Sequence, residues 1–169
     1  MKILISVCGS DGEDGELSMH ALEEAENLGR EIAKRDAVLV CGGHSGIMEA
    51  ACKGCKEENG LTIGIMPYTK DEANKYVDIA IPTGIGNIRN YLVSYIGDVT
   101  IAIGGRWGTL NEISFRMISE KPIILIRGTG GCVDRIVESD LLQDIESHFY
   151  VANNAKEAIE KAFNLIKKP

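Results

Sequence analysis

The sequence has few aromatic residues, no excess of basic residues and no long hydrophobic run, and each absence excludes a class of protein. Aromatic side chains make up 5% of the 169 residues, and 18 basic against 25 acidic side chains give a formal net charge of −7. Such a surface repels nucleic-acid phosphates and anionic lipids, so nucleic acid is not an expected partner. No apolar run approaches the roughly 20 residues of a membrane-spanning helix, and the first residues do not resemble a signal peptide. We therefore predict a cytoplasmic protein without a membrane partner.

The number of cysteines is odd, and their spacing does not complete a metal site. There are five of them, and Cys52 and Cys55 form a CxxC motif inside a predicted helix. A zinc site of this type needs a second pair of ligands, and a redox-active CxxC lies at a helix N-terminus, where the thiolate is stabilised. We therefore predict buried, unreactive cysteines in a reducing compartment, with no metal site and no cofactor.

Apolar segments of strand length alternate with segments of helical period along the chain. Strands are predicted over residues 2–7, 37–41, 61–66, 77–81, 99–103 and 122–126, and helices over residues 18–34, 45–58, 88–96, 109–119 and 154–167. Strands that are apolar on both faces are typical of a parallel sheet covered by helices. The pattern predicts one α/β domain over residues 1–169, a doubly wound, Rossmann-like, mostly parallel sheet with helices on both faces. Glycines interrupt the pattern in residues 127–150, which receive no assignment.

Glycine-rich loops follow three of the predicted strands, and two of these loops share the pattern GGxxG before a helix. Glycine lets the backbone approach a ligand closely, a helix N-terminus attracts phosphate, and ligands of doubly wound sheets bind beyond the carboxyl ends of the strands. Glycines also serve simply as tight turns, but two such loops favour phosphate or nucleotide binding. The candidate binding residues are Gly9, Ser10, Gly42, Gly43, His44, Gly46, Gly104, Gly105, Arg106, Trp107, Gly108 and Thr109.

Several side chains near the second loop have a structural and a functional interpretation. Thr109 and Glu112 form the pattern of a capping box, which periodicity alone favours, and the alternative is that Glu112 faces the ligand as a catalytic carboxylate. Arg89 opens a predicted helix, where it either binds a phosphate or carboxylate or is a solvated surface residue. Trp107 either stacks on a base or plugs the turn.

These motifs together resemble those of the Lonely Guy (LOG) and molybdenum cofactor carrier superfamily, in its compact prokaryotic branch. The resemblance covers residues 1 to about 126 and rests on VCGS, GGHSGIMEAA, IRN and GGRWGTLNE. In the LOG signature, PGGxGTxxE follows an arginine, and Arg89, Asp98 and Glu112 occupy the matching positions. The chain departs from this signature at Gly104, where the family has proline, and at Arg106, where it has glycine.

The resemblance implies a Rossmann-like fold, a homodimer and a phosphorylated small-molecule ligand. LOG enzymes hydrolyse the N-glycosidic bond of nucleoside 5′-monophosphates to the base and ribose 5-phosphate. By this resemblance Arg89 and Glu112 are the catalytic pair, converging on one anion pocket, and the glycine-rich turn with Thr109 binds the phosphate. We therefore predict a nucleoside 5′-monophosphate hydrolase, and the alternative is a non-catalytic carrier or sensor of a phosphorylated pterin or a nucleotide. A third possibility, a DNA-processing protein that binds single strands, is disfavoured by the net charge.

Two further expectations concern chemistry and assembly. The older label for this superfamily, lysine decarboxylase, is disfavoured because no lysine is marked for a pyridoxal Schiff base. The two helices at residues 88–96 and 109–119 carry more apolar residues than one buried stripe requires, which favours a dimer face over internal packing alone. These residues are Tyr91, Leu92, Tyr95, Phe115 and Met117.

Overall fold

The computed structural model describes residues 1–12, 17–139 and 149–167. Its strands are β1 (Leu4–Gly9), β2 (Val38–Cys41), β3 (Leu61–Met66), β4 (Ile79–Pro82), β5 (Val99–Ile103), β6 (Ile123–Ile126) and β7 (Phe149–Ala152). Its helices are α1 (Met19–Lys34), α2 (Ile47–Glu57), α3 (Asn90–Ile96), α4 (Trp107–Ile118), α5 (Gly131–Glu138) and α6 (Ala155–Ile166). Two short 3₁₀ helices, Lys70–Glu72 and Gly86–Arg89, lie before β4 and α3.

All seven strands form one parallel sheet in the order β4-β3-β2-β1-β5-β6-β7. Successive strand residues alternate between two hydrophobic clusters, as Ile101 and Ala102 do in β5, because neighbouring side chains of a strand point to opposite faces. One cluster joins the sheet to α1, α2 and α6, and the other joins it to α3, α4 and α5. The predicted Rossmann-like sheet with helices on both faces is therefore confirmed.

The predicted boundaries differ from the structure where residues distant in sequence decide them. Pro82 was expected to stop the strand before it but is the last residue of β4, which is possible because β4 is an edge strand. The unassigned residues 127–150 contain α5 and the start of β7, and residues 140–148 lie outside the described part of the chain. The glycines that interrupted the pattern lead into α5, where the Asp134 carboxylate accepts hydrogen bonds from Gly128 and Gly130 N–H.

The α1 and α2 helices pack backbone to backbone through two glycines. A Cβ on Gly29 would overlap the carbonyl oxygen of Ala51 and lie 2.7 Å from the nitrogen of Cys55, and a Cβ on Gly54 would overlap the carbonyl oxygen of Glu26. Backbone atoms cannot move aside as a flexible side chain can. Glycine at both positions is therefore a requirement of this helix crossing.

We expect Gly54→Ala to lower the free energy of unfolding by at least about 2 kcal/mol, although alanine is by itself a better helix former by about 1 kcal/mol. Gly108→Ala is the matched control, because Gly108 is also helical and a Cβ there has only the side-chain nitrogen of Asn90 nearby, at 3.9 Å. Urea denaturation of both variants measures the difference. Equal stability of the two variants would contradict the close crossing.

Candidate active site

A cleft of about 510 Å³ lies at the carboxyl ends of β1 and β5. The chain builds β1 to β4 outward to one side of β1 and then crosses back to β5 on the other, so the cleft occupies the switch point of the sheet. Eight residues predicted from sequence line it: Gly9, Ser10, Arg89, Arg106, Trp107, Gly108, Thr109 and Glu112. The other described lining residues are Asp11, Met48, Asn87, Asn90 and Asn111.

The structure brings Arg89 and Glu112 together in this cleft. Arg89 ends the 3₁₀ helix before α3, Glu112 lies in the second turn of α4, and Nη1 of Arg89 is 4.0 Å from Oε1 of Glu112. The two residues are 8% and 5% exposed. Moving charged groups out of water costs free energy unless they are paired or hydrogen-bonded. The burial of Arg89 and Glu112 therefore lowers the stability of the fold at this position.

Arg89 is held against a glycine and has an unused donor. A Cβ on Gly42 would overlap Nη1 of Arg89 and lie 2.9 Å from its Cζ and 2.8 Å from the Met48 sulfur, so a larger residue would have to displace these side chains. The buried Nε of Arg89 has no hydrogen-bond partner within the described residues. A buried donor without a partner costs about 1–3 kcal/mol, and an anion in the cleft would remove that cost.

The capping box predicted at Thr109 and Glu112 is wrong. The α4 helix begins two residues earlier, at Trp107, with Arg106 at the N-cap, and the Arg106 side chain makes no capping hydrogen bond. The first three N–H groups of a helix have no acceptor within the helix. The residues that carry them here are Trp107, Gly108 and Thr109, and all three line the cleft. The positive end of the helix dipole thus faces the same space as Arg89.

Burial raises the pKa of Glu112 to about 7, while the Arg89 guanidinium and a hydrogen bond from the Cys8 thiol act in the opposite direction. Cys8 lies in β1, beneath the cleft, and burial followed by the charge of Glu112 raises the pKa of its thiol. The carboxyl group of Glu112 therefore exchanges its proton near neutral pH, the range in which a general acid or base is most effective.

This pKa shift predicts a pH dependence of stability. The folded carboxyl group of Glu112 keeps its proton up to about pH 7, whereas an unfolded one releases it near its ordinary value of 4.5, so stability falls as pH rises from about 4.5 to about 7. We expect Glu112→Gln to remove this fall and to be more stable than wild type at pH 8, by up to about 3 kcal/mol. Urea denaturation at pH 5 and pH 8 measures it, with the exposed Glu120→Gln as control. An unchanged pH slope in Glu112→Gln would contradict the shift.

The first glycine loop is bound to its neighbours and not open to the cleft. Gly43 N–H donates to the Cys41 sulfur at 3.3 Å, and the Asn74 side chain donates to the Gly43 and His44 carbonyl groups at 3.1 and 2.9 Å. At the start of α2, Ile47 N–H donates to the carbonyl oxygen of Ser10 at 2.9 Å. The residues predicted here as phosphate ligands, Gly42, Gly43 and Gly46, are not among those that line the cleft, and His44 lines an adjoining cavity.

The two leading glycines of the second loop shape the turn before α4. Gly104 N–H donates to the Thr129 hydroxyl at 2.9 Å, and a Cβ on Gly105 would overlap the Thr109 side chain. Both glycines have positive φ angles, 54° and 88°, which other residues rarely adopt. Gly104 and Gly105 do not line the cleft, whereas Trp107 does, with 80% of its surface exposed. Trp107 therefore does not plug the turn.

Sequence analysis missed the amide side chains of the cleft. Asn90 is 8% exposed and donates to the side-chain oxygen of Asn111 at 3.2 Å, which links α3 to α4 beside Arg89 and Glu112. Asn90 directly follows Arg89 in IRN, and Asn111 directly precedes Glu112 in TLNE. Their position next to predicted site residues was the signal available in the sequence.

The cysteines are buried or half-buried thiols without disulfide bonds. Cys52 and Cys55 both lie on the buried side of α2, as predicted. Across the described residues, no group of three or more His, Cys, Asp or Glu side chains is placed to hold a metal ion. The helices of the same part of the chain are all too short or too polar to cross a membrane.

Residues 2–159 match the sequence model of the SLOG cluster4 family. The chain belongs to this family. Membership agrees with the resemblance to the LOG and molybdenum cofactor carrier superfamily that the motifs indicated. An uncharacterized protein of Archaeoglobus fulgidus is 37% identical over 135 residues, which are 76% of this chain and 87% of that protein.

Two solved structures extend the likeness of this SLOG cluster4 chain to its full length. The molybdenum cofactor binding protein of Rippkaea orientalis is 33% identical over 99% of both chains, with a TM-score of 0.87. The Moco carrier protein of Chlamydomonas reinhardtii is 30% identical over 100% of both chains, with a TM-score of 0.86. DNA processing protein A of Helicobacter pylori, at 17% identity and a TM-score of 0.70, shares the fold alone.

Proposed function

We propose that this chain carries a phosphorylated pterin, the molybdenum cofactor, with its phosphate between Arg89 and the N-terminus of α4. The observation that carries the proposal is the buried Nε of Arg89, which has no partner in the described structure, in a cleft that the first three residues of α4 also line. A helix dipole and a guanidinium form a local anion site. They are needed here because the net charge of −7 repels anions at long range.

The size of the cleft and the similar proteins support this proposal. A volume of about 510 Å³ lies in the range of small-molecule sites, roughly 300–1,000 Å³. The likeness to a molybdenum cofactor binding protein and to a Moco carrier protein extends over whole chains and is not confined to one motif.

The test is the ligand that the purified protein retains. Protein from a host that makes the cofactor is denatured, and the pterin in the supernatant is measured by its fluorescence. We expect up to about one equivalent of pterin per protein chain. Gly42→Ala should lose it, because the added methyl group displaces the Arg89 guanidinium. Arg127→Gln, at an exposed residue that does not line the cleft, should retain it. Absence of pterin in wild type, or equal retention in Gly42→Ala, would overturn the proposal.

We propose nucleoside 5′-monophosphate hydrolysis as a second candidate function, because Glu112 is a buried carboxyl group that titrates near pH 7 beside Arg89. In this reaction water adds to the anomeric carbon as the C–N bond breaks, and the bond electrons leave with the base. Glu112 takes a proton from the water and stabilises the oxocarbenium-like sugar, and Arg89 stabilises the negative charge on the base. The proton then passes to the base, and ribose 5-phosphate remains.

A panel of nucleoside monophosphates assayed by chromatography tests this candidate. We expect free base from at least one monophosphate, and Glu112→Gln should abolish its release while the nucleotide still binds. A panel in which no base is released would leave the carrier proposal alone standing.

We also propose that the chain forms a homodimer through α3 and α4. Tyr91 and Tyr95 stack with ring centroids 5.2 Å apart and are 38% and 42% exposed, and Phe115 contacts Tyr91 edge-on at 5.4 Å. Leu92 and Met117 are half-buried beside them. Sedimentation of Tyr91→Glu against wild type tests the proposal, with a shift to monomer as the expected result.

A further inference from the structure

A second cavity, of about 400 Å³, adjoins the cleft. The residues common to both are Asp11, Met48, Asn87 and Arg89, so the two cavities form one continuous depression. The remaining residues that line the second cavity are His44, Pro67, Tyr68 and Glu72. Because Pro67 and Tyr68 follow β3 while the α4 turn follows β5, the depression runs along the carboxyl edge of the sheet from β5 towards β3.

Tyr68 presents an aromatic ring at the β3 end of this depression. Its side chain is 63% exposed, and a Cβ on Gly86 would lie 2.8 Å from its hydroxyl oxygen and 3.4 Å from its Cζ. Gly86 N–H also donates to the Pro67 carbonyl group at 3.3 Å. Gly86 begins the 3₁₀ helix that ends at Arg89, so the ring and the guanidinium are held by the same short segment.

The charges of the second cavity differ from those of the cleft. Among its described lining residues Arg89 supplies the permanent positive charge, at the junction with the cleft, whereas Asp11 and Glu72 supply carboxylates. The Thr69 hydroxyl donates to Oε1 of Glu72 at 3.3 Å, which orients this carboxylate. A carboxylate beside an aromatic face suits a flat ring with two neighbouring N–H donors, since two parallel N–H···O bonds can form.

We propose that the second cavity is the ring subsite of the ligand and holds the 2-amino-4-oxopyrimidine edge that pterins and guanine share. The ring stacks on Tyr68, and its ring N–H and exocyclic amine donate to the two oxygens of Glu72. The inference rests on the proposed function, because the phosphate of the same ligand lies at Arg89 and the α4 N-terminus. It specifies the kind of ring that the ligand carries, which the phosphate site alone does not determine.

Binding of three defined ligands tests the subsite by calorimetry. GMP carries the complete edge, IMP lacks only the exocyclic amine, and ribose 5-phosphate carries the phosphate anchor without a ring. We expect GMP to bind wild type about tenfold more tightly than IMP. In Glu72→Gln the ratio of the GMP affinity to the IMP affinity should fall towards one, while the affinity for ribose 5-phosphate stays unchanged. Asp71→Asn, on the same 3₁₀ helix but outside the cavity lining, should keep the wild-type ratio.

The outcomes distinguish a failure of the ring subsite from a failure of the phosphate site. If ribose 5-phosphate binds but GMP and IMP bind equally, or GMP does not bind, the ring subsite is wrong and the phosphate site stands. The same holds if the preference for GMP survives in Glu72→Gln. If neither ribose 5-phosphate nor a nucleotide binds, the phosphate site itself is wrong, and the ring subsite is overturned with it.

Discussion

Replacing Arg116 by methionine should lower the free energy of unfolding by about 3–5 kcal/mol, the largest effect on stability that we expect from any single substitution. Arg116 is fully buried in α4, and its guanidinium donates four hydrogen bonds of 2.7–3.1 Å to backbone carbonyl groups. The acceptors are the carbonyl oxygens of Ser94, Gly97, Asp98 and Pro122. Methionine fills similar space but removes a donor from each of these oxygens, of which, within the described residues, those of Ser94 and Pro122 keep a second donor, the hydroxyl and the N–H of Thr100.

The effect is large because Arg116 joins four segments: the end of α3, the turn before β5, the start of β6 and α4 itself. Burial lowers its pKa to about 10, so the side chain stays charged at neutral pH. Arg116→Lys should recover only part of the loss, since one ammonium group cannot reach the carbonyl groups that the planar guanidinium spans. Chemical denaturation checks both variants against Arg127→Met, an exposed control. A change in Arg116→Met below about 0.5 kcal/mol, the scatter of surface substitutions, would contradict this role.

Replacing Arg89 by glutamine should weaken the binding of ribose 5-phosphate by at least about 100-fold, since a buried hydrogen bond to a charged group contributes about 1.5–3 kcal/mol and the positive charge is lost as well. The carboxyl group of Glu112 would then face the phosphate without the cation that stands 4.0 Å away in wild type. Because Arg89 lowers the pKa of Glu112 against the effect of burial, its removal leaves this carboxyl group protonated at neutral pH, and the lost affinity reports the lost attraction to the phosphate.

Calorimetry of Arg89→Gln and of the double variant with Glu112→Gln checks this result. The double variant should bind as weakly as Arg89→Gln at neutral pH, because the carboxyl group that it replaces is already uncharged there. Arg127→Gln changes the net charge by the same amount at an exposed residue outside the cleft lining and should bind as wild type does. An affinity of Arg89→Gln within about threefold of wild type would contradict the phosphate position, because so small a change is less than 1 kcal/mol.

The alternation of apolar strands and helical segments was sufficient to predict the sheet, because periodicity is a local property of the chain. The start of α4 was not predictable in this way. The TxxE pattern fits a capping box as well as it fits the second turn of a helix, and the actual start depends on distant contacts. Gly104 N–H binds the Thr129 hydroxyl, and Cys132 N–H binds the Gly105 carbonyl group.

The two GGxxG loops show how far a motif determines a site. They are alike in sequence, but in the first loop the Gly43 N–H donates to the Cys41 sulfur, and the first N–H of α2 donates to the Ser10 carbonyl oxygen. The first three residues of α4, in contrast, line the cleft. The pairing of Arg89 with Glu112 followed from the resemblance to a family signature, whereas the asparagines around the pair had no pattern of their own.

Because Gly42 contacts Arg89, the residue at position 42 indicates whether the arginine can lie where it does here. A side chain larger than hydrogen at position 42 would overlap the guanidinium, so in a protein with such a residue we expect the arginine to lie elsewhere than it does here. A reader of related sequences can therefore separate proteins whose arginine is available to an anion from those whose arginine is turned away. That distinction lies in a loop whose glycines do not line the cleft.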